Sequence, residues 1–85
     1  MNHTKIYVGS NNETGFLEVE KIKEVLEGLE AYTLIIAGGY WKGKHENTAI
    51  IEIYGDYNLG IIPELKRVCM QESIMVVESI VKVTF

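Results

Sequence analysis

The chain has 85 residues, of which 47% are hydrophobic and 24% charged, and a net charge of −4. At this length it is one domain with a thin core, since a chain of this size buries only about 60–65% of the surface that its unfolded form exposes. The composition excludes intrinsic disorder, and the acidic balance argues against general affinity for a nucleic-acid backbone.

The opening residues Met1-Asn2-His3-Thr4-Lys5 hold no apolar signal-peptide core. The longest apolar run, Leu34 to Ala37, is far short of the roughly 20 residues that cross a bilayer, so neither secretion nor membrane insertion is expected and a cytoplasmic location is. Cys69 is the single cysteine, which rules out an intramolecular disulfide and suits a reducing compartment. Lys5 to Gly9 alternates, with Ile6 and Val8 on one side, and Gly9-Ser10-Asn11-Asn12 breaks the pattern, so a first strand is expected to run into a turn. Val19, Ile22, Val25, Leu26 and Leu29 then recur at helical spacing, and Lys23 and Glu27 are set for an i,i+4 pair. The glutamates of this stretch read as its solvated face.

Tyr32 to Ala37 and Thr48 to Tyr54 are rich in β-branched and aromatic residues, and Lys42-Gly43-Lys44-His45 between them supplies the turn of a hairpin. Asp56-Tyr57-Asn58 offers capping groups, Pro63 sits near a helix start, and Ile62, Leu65, Val68 and Cys69 give a second apolar stripe ending by Gln71. Ile74 to Val77 starts a last strand, and the restarted alternation from Ile80 predicts a bulge or bend near Glu78-Ser79. The elements predict a single α+β domain over residues 1–85, ferredoxin-like in its βαββαβ order. It has a four-stranded antiparallel sheet, two helices on one face and room for a C-terminal strand extension.

Two helices cover one face of such a sheet. The other should be polar, yet the third strand has Ile50 and Tyr54 on the side opposite Ala49, Ile51 and Ile53, and Leu34-Ile35-Ile36 and Met75-Val76-Val77 show no clean alternation. One reading is that strong strand formers simply stand exposed; the other is that sheet faces or edges pack between subunits.

The segment that stands out is Gly38-Gly39-Tyr40-Trp41-Lys42-Gly43-Lys44-His45-Glu46. Paired glycines in a strand mark a bulge or a close approach by a backbone or ligand, and aromatic surface beside a cationic turn can stack a ring and neutralise an anion. Against this stands a plain structural reading, in which Tyr40 and Trp41 finish the core, Gly43 serves the turn and the lysines are solvated.

The run Tyr40-Trp41-Lys42-Gly43-Lys44, followed by an aliphatic strand ending at Ile53, resembles the hairpin of CutA-type proteins of the PII-like superfamily. The resemblance implies a βαββαβ fold and trimers whose sheets pack together, with ligand or metal sites in clefts between subunits. No basic-threonine ending follows the third strand and no histidine-proline-tyrosine block precedes the second helix, so the family's metal site is not expected here. The opening Lys5-Ile6-Tyr7-Val8-Gly9-Ser10-Asn11 is similar to small bacteriophage proteins.

The chain has no Cys-x-x-Cys, no His-x-x-x-His and no paired Asp for a metal, no serine with an activating spacing, and no acidic residue at the end of the first strand where Cas2-type nucleases carry one. His3 is expected in a mobile terminus and His45 in the turn. These features lead to a non-enzymatic homo-oligomer, trimer or dimer, that needs no cofactor. It would bind a small anionic ligand of nucleotide type through Gly38, Gly39, Tyr40, Trp41, Lys42, Gly43, Lys44, His45 and Glu46 at intersubunit clefts. A phage sponge for an immune signalling nucleotide in a bacterial host is the particular expectation. The alternative is an interaction domain whose exposed sheet inhibits a partner protein, and a small hydrolase or isomerase using Glu46 or His45 ranks third.

Overall fold

In the computed structural model, which describes residues 1–85, six elements follow one another: β1 (Asn2–Val8), α1 (Val19–Leu26), β2 (Thr33–Trp41), β3 (Lys44–Tyr54), α2 (Ile61–Val68) and β4 (Met75–Ile80). The strands form one antiparallel sheet in the order β2-β3-β1-β4, the ferredoxin-like arrangement expected. No helix is long and apolar enough to cross a membrane.

The period of two along the strands sorts the core. Ile6 and Val8 of β1 and Ala49, Ile51 and Ile53 of β3 are buried on one face, and Ile22 and Leu26 of α1, Ile61 and Leu65 of α2, and Cys69 just beyond it close over them. Only 14 of the 85 residues are buried, so each large aliphatic side chain carries much of the fold. Leu65 is fully buried; Leu65→Ala is expected to cost about 2–5 kcal/mol, a large share of the roughly 5–15 kcal/mol that keeps a domain folded. Urea denaturation checks this, and a loss under about 1 kcal/mol would mean that the neighbouring side chains collapse into the space.

Three local expectations are corrected. Helix α1 stops at Leu26 rather than reaching Leu29, because Glu27-Gly28 turns and glycine weakens helix; Lys23 pairs with Glu20 at 3.6 Å instead of with Glu27. No bulge interrupts β4, whose register runs unbroken from Tyr7↔Met75 to Asn2↔Ile80, and Met1 and Val81 extend it by two backbone hydrogen bonds of 3.0 and 2.9 Å. The alternation is blurred there because Val76 faces the helices while Met75 and Val77 face outward, leaving both faces apolar.

The hairpin is also tighter than its turn chemistry implied. Gly38 and Gly39 lie inside a continuous β2, and the turn is only Lys42-Gly43, with φ of 50° and 77°. A two-residue turn with both φ positive matches the twist of the flanking strands, and glycine adopts that region without steric cost.

Candidate functional site

The face of the sheet turned away from the helices is built in rows. Ile35, Ile50, Tyr7 and Met75 are successive partners across all four strands, so one apolar row crosses the whole sheet. Beside it runs Thr33, Glu52, Lys5 and Val77, where Glu52 is neutralised by Lys5 at 3.7 Å and lies 3.9 Å from His3. On the other side, towards the hairpin, the rows lose their side chains: Ala37 opposite Thr48, then Gly39 opposite Glu46, with Gly9 at the end of β1 beside them. Trp41 opposite Lys44 closes this end, and the Lys42 ammonium stands 5.9 Å over the Trp41 ring. The register thus leaves this end of the face short of side-chain bulk, and the shallow depression inferred from it has a floor of small residues, one carboxylate, an exposed indole at one rim and the apolar row at the other.

Strand parity divides the segment singled out in the sequence. Gly39, Trp41, Lys44 and Glu46 share the open face, whereas Gly38, Tyr40 and His45 lie on the helix side, where the Tyr40 and His45 rings meet edge to face with centroids 5.3 Å apart. Lys42 and Gly43 are the turn itself. Lys44 is thus the cross-strand partner of Trp41 and not the same-side companion of Lys42 that a continued strand would make it.

The paired glycines have partners within the chain. A Cβ on Gly38 would stand 3.0 Å from Nε2 of His45, and one on Gly39 would stand 2.6 Å from Oγ1 of Thr48, so both positions are kept bare by neighbouring side chains.

Residues outside the expected segment complete the depression. Ser10 and Asn11 are 5% exposed. The Ser10 hydroxyl donates to the Asn47 carbonyl at 2.8 Å, and Gln71 Nε2 donates to the Ser10 carbonyl at 2.5 Å, which ties the β1–α1 loop to β3 and to the end of α2. Asn11 accepts from the amides of Glu13 and Thr14, closing that loop as an Asx turn. In the sequence Gly9-Ser10-Asn11 signals only a turn, and Gln71, 62 positions from Gly9, has no local pattern to mark it.

Of the two carboxylates on the open face, Glu52 is paired and Glu46 enters none of the chain's ion pairs. A half-buried carboxylate with no cation of its own chain beside it is free to meet a cationic group of a ligand, which singles out Glu46. Other chemistry is poorly served. Burial, and then the nearby charge of Glu18, raises the pKa of the Cys69 thiol, which is the opposite of what a nucleophile needs. His3 lies within β1 and not in a free terminus, with its ring stacked on Tyr54 at 4.5 Å, and His45 belongs to β3 and not to the turn. No group of three or more His, Cys, Asp or Glu converges on a point. A concavity of about 490 Å³ between Asn2, Thr4, Tyr57, Leu59, Glu78 and Ile80 opens at the end of the sheet opposite the hairpin. There burial, and then Glu78, raises the pKa of Tyr57.

The fold and this face define a ferredoxin-like domain with one unfilled sheet surface. No protein-family model and no curated protein matches the sequence. Solved structures do match in fold. One is a phage SAM lyase without ligand, 20% identical, with a TM-score of 0.69 over 92% of this chain and 78% of that one. The same lyase in complex with S-methyl-5'-thioadenosine matches at 20% identity and a TM-score of 0.69, over 92% of this chain and 79% of that one. CutA1 from Oryza sativa matches at 16% identity and a TM-score of 0.53 over 100% of this chain and 84% of that one.

The likeness to CutA expected from the hairpin therefore holds for the fold, and a phage protein stands among its neighbours. The expectation of a non-enzymatic protein is corrected: a solved neighbour along nearly the whole chain is a lyase, so the fold carries catalysis as well as small-ligand binding.

Proposed function

We propose that copies of this chain associate through the open sheet face. The depression around Gly9, Gly39 and Glu46 then holds S-adenosylmethionine, which the protein cleaves as a lyase to S-methyl-5'-thioadenosine. The observation that carries this reading is the likeness of fold to the phage SAM lyase over 92% of the chain, including its complex with that thioether. The depression supports it in chemical detail.

S-adenosylmethionine is a nucleoside without phosphate, with a cationic sulfur, a cationic amino group and one carboxylate. The anionic nucleotide expected from Lys42 and Lys44 gives way to a ligand whose base suits the exposed Trp41 indole and whose ammonium suits the unpaired Glu46. A ligand that is turned over likewise replaces one that is sequestered.

The bond that breaks joins the sulfonium sulfur to the methionyl Cγ. Its electron pair goes to sulfur, which leaves as a neutral thioether and needs no acid. Cγ is satisfied within the departing fragment, either by closure of that fragment's own carboxylate onto Cγ to form the new C–O bond or by transfer of a Cβ proton to that carboxylate as the C=C bond forms, so no water enters. The positive charge on sulfur disappears as the bond breaks, and a carboxylate against the sulfur would therefore stabilise the ground state more than the transition state. Glu46 is better used on the ammonium, whose charge does not change, where a charge-assisted hydrogen bond orients the reacting arm.

A flat sheet face walls a ligand on one side only, whereas ligands of this size are held with most of their surface buried, about 70–90%. A second copy supplies the other wall in this reading, and a trimer is the first choice from the CutA-type resemblance.

Incubating the purified protein with S-adenosylmethionine and separating the products tests the reaction. S-methyl-5'-thioadenosine is expected in an amount equal to the substrate lost, and proton NMR of the four-carbon fragment, through the presence or absence of vinyl resonances, tells a lactone from the isomeric unsaturated amino acid. Substrate left intact by protein that binds the uncleavable S-adenosylhomocysteine would overturn the lyase assignment. Trp41 is 64% exposed, so Trp41→Ala should leave the melting temperature unchanged. It should weaken S-methyl-5'-thioadenosine and S-adenosylhomocysteine alike, by about tenfold or more, because base stacking contributes roughly 1–3 kcal/mol. Calorimetry on the two ligands checks this.

A further inference from the structure

We infer that Gly9 is a positioning residue for the Glu46 carboxylate, an inference whose catalytic consequence rests on the function proposed above. Gly9 is buried and its φ lies outside the left-handed region, so its backbone makes no demand for glycine. What it provides is space. A Cβ there would stand 2.7 Å from Oε1 of Glu46, 3.2 Å from its carboxyl carbon and 3.0 Å from Oε1 of Gln71. The first distance is closer than a side-chain carbon and an oxygen approach, so one of the two side chains has to give way.

The two differ in how they are held. Gln71 is braced through Nε2, which donates to the Ser10 carbonyl at 2.5 Å, and Ser10 is itself anchored to Asn47 at 2.8 Å. Glu46 takes part in no ion pair, and it is the free end of a flexible side chain. A methyl group on Gly9 therefore displaces the carboxylate most, while the Gln71 amide oxygen, 3.0 Å away and braced through its Nε2, gives by only a fraction of an ångström. Because only a side-chain tip moves, the fold is little affected, while a carboxylate moved by about an ångström loses its alignment with the ligand. Gly9 thus sets where the charge of Glu46 stands, and Gln71 and Ser10 keep the opposite side of the seat rigid.

Gly9→Ala is the test, with two independent readouts. In the unliganded protein, the side-chain carboxyl ¹³C resonance of Glu46, assigned through Glu46→Gln, is expected to shift clearly while the Gln71 side-chain amide resonances move much less and the melting temperature is unchanged. In ligand binding, the preference for S-adenosylhomocysteine, which keeps the ammonium arm, over S-methyl-5'-thioadenosine, which lacks it, should fall about tenfold with the affinity for the thioether unaltered. Turnover should fall by about ten- to hundredfold, the scale on which small misplacements act, and adding Gly9→Ala to Glu46→Gln should cost nothing further. An unmoved Glu46 resonance, or a shifted Gln71 amide beside an unmoved carboxylate, overturns the positioning role whatever the ligand. A shifted resonance in a protein that binds neither ligand upholds the seat and overturns the proposed function instead. Additive losses in the double variant would show that Gly9 acts by a route other than Glu46.

Discussion

Glu46→Gln is expected to lower kcat/KM for S-adenosylmethionine by at least about a hundredfold while leaving the melting temperature within a degree or two. The variant keeps the shape and one acceptor oxygen but removes the charge. Charge-assisted hydrogen bonds contribute roughly 1.5–3 kcal/mol, or about ten- to more than a hundredfold in an equilibrium. Loss of orientation at the reacting carbon adds to this. Stability should hardly change, because Glu46 pairs with no cation in the folded chain and so contributes no ion pair to lose. Initial rates of thioether formation at saturating and at limiting substrate separate the effects on kcat and KM. If Glu46→Gln turned over at the wild-type rate, the carboxylate would have no part in the reaction and the ligand would have to sit elsewhere on the face. Lys44→Ala is the contrasting control, since a solvated lysine that meets at most the ligand's carboxylate should cost far less.

The fold was legible in the sequence because each element carries its own period. Ile6 and Val8, Ile22 and Leu26, and Ala49, Ile51 and Ile53 announce strand, helix and strand by spacing alone, and the same residues form the buried core. The errors at boundaries have local causes. Gly38 and Gly39 look like an interruption, yet they continue β2 because His45 and Thr48 from β3 occupy the space that their side chains would need.

The candidate site was legible only in part. The run Gly38 to Glu46 stands out in the sequence, but a run on a strand alternates between faces, so Gly38, Tyr40 and His45 belong to the opposite side. The residues that complete the depression come from the end of β1 and from beyond α2, and no one-dimensional pattern joins Gly9 to Gln71. Under the proposed lyase reading, the absence of a familiar catalytic signature has a chemical reason. A sulfonium is already a good leaving group, so a protein that cleaves it needs to hold and orient it more than to activate a nucleophile, and binding residues leave weaker marks in sequence than metal ligands or triads do.

Ile50→Lys is expected to convert an oligomer into monomers at micromolar concentration and to abolish turnover with it, while far-ultraviolet circular dichroism keeps its helical signal. Ile50 lies at the centre of the row Ile35–Ile50–Tyr7–Met75, on the face away from α1 and α2, so its side chain contributes to the face and not to the core beneath. The row is unusually apolar for a surface: Ile35 is 41% and Met75 58% exposed, and Val77 beside them is 44% exposed. Covering such a row with a second copy gains about 25 cal/mol for each square ångström of apolar surface removed from water, which a chain with so small a core can use. A lysine at the centre reverses the balance. Burying an unpaired ammonium costs several kcal/mol, and symmetry repeats that cost in every subunit, which outweighs the lost methyl groups themselves. Native mass spectrometry before and after the substitution reads the outcome. A wild-type protein that is monomeric and well folded would remove the premise of a shared site, and an oligomer that survives Ile50→Lys would move the interface to the sheet edges. If the monomeric variant lost both thioether binding and turnover although Trp41 and Glu46 are intact, the second wall of the depression would have to come from the neighbouring copy.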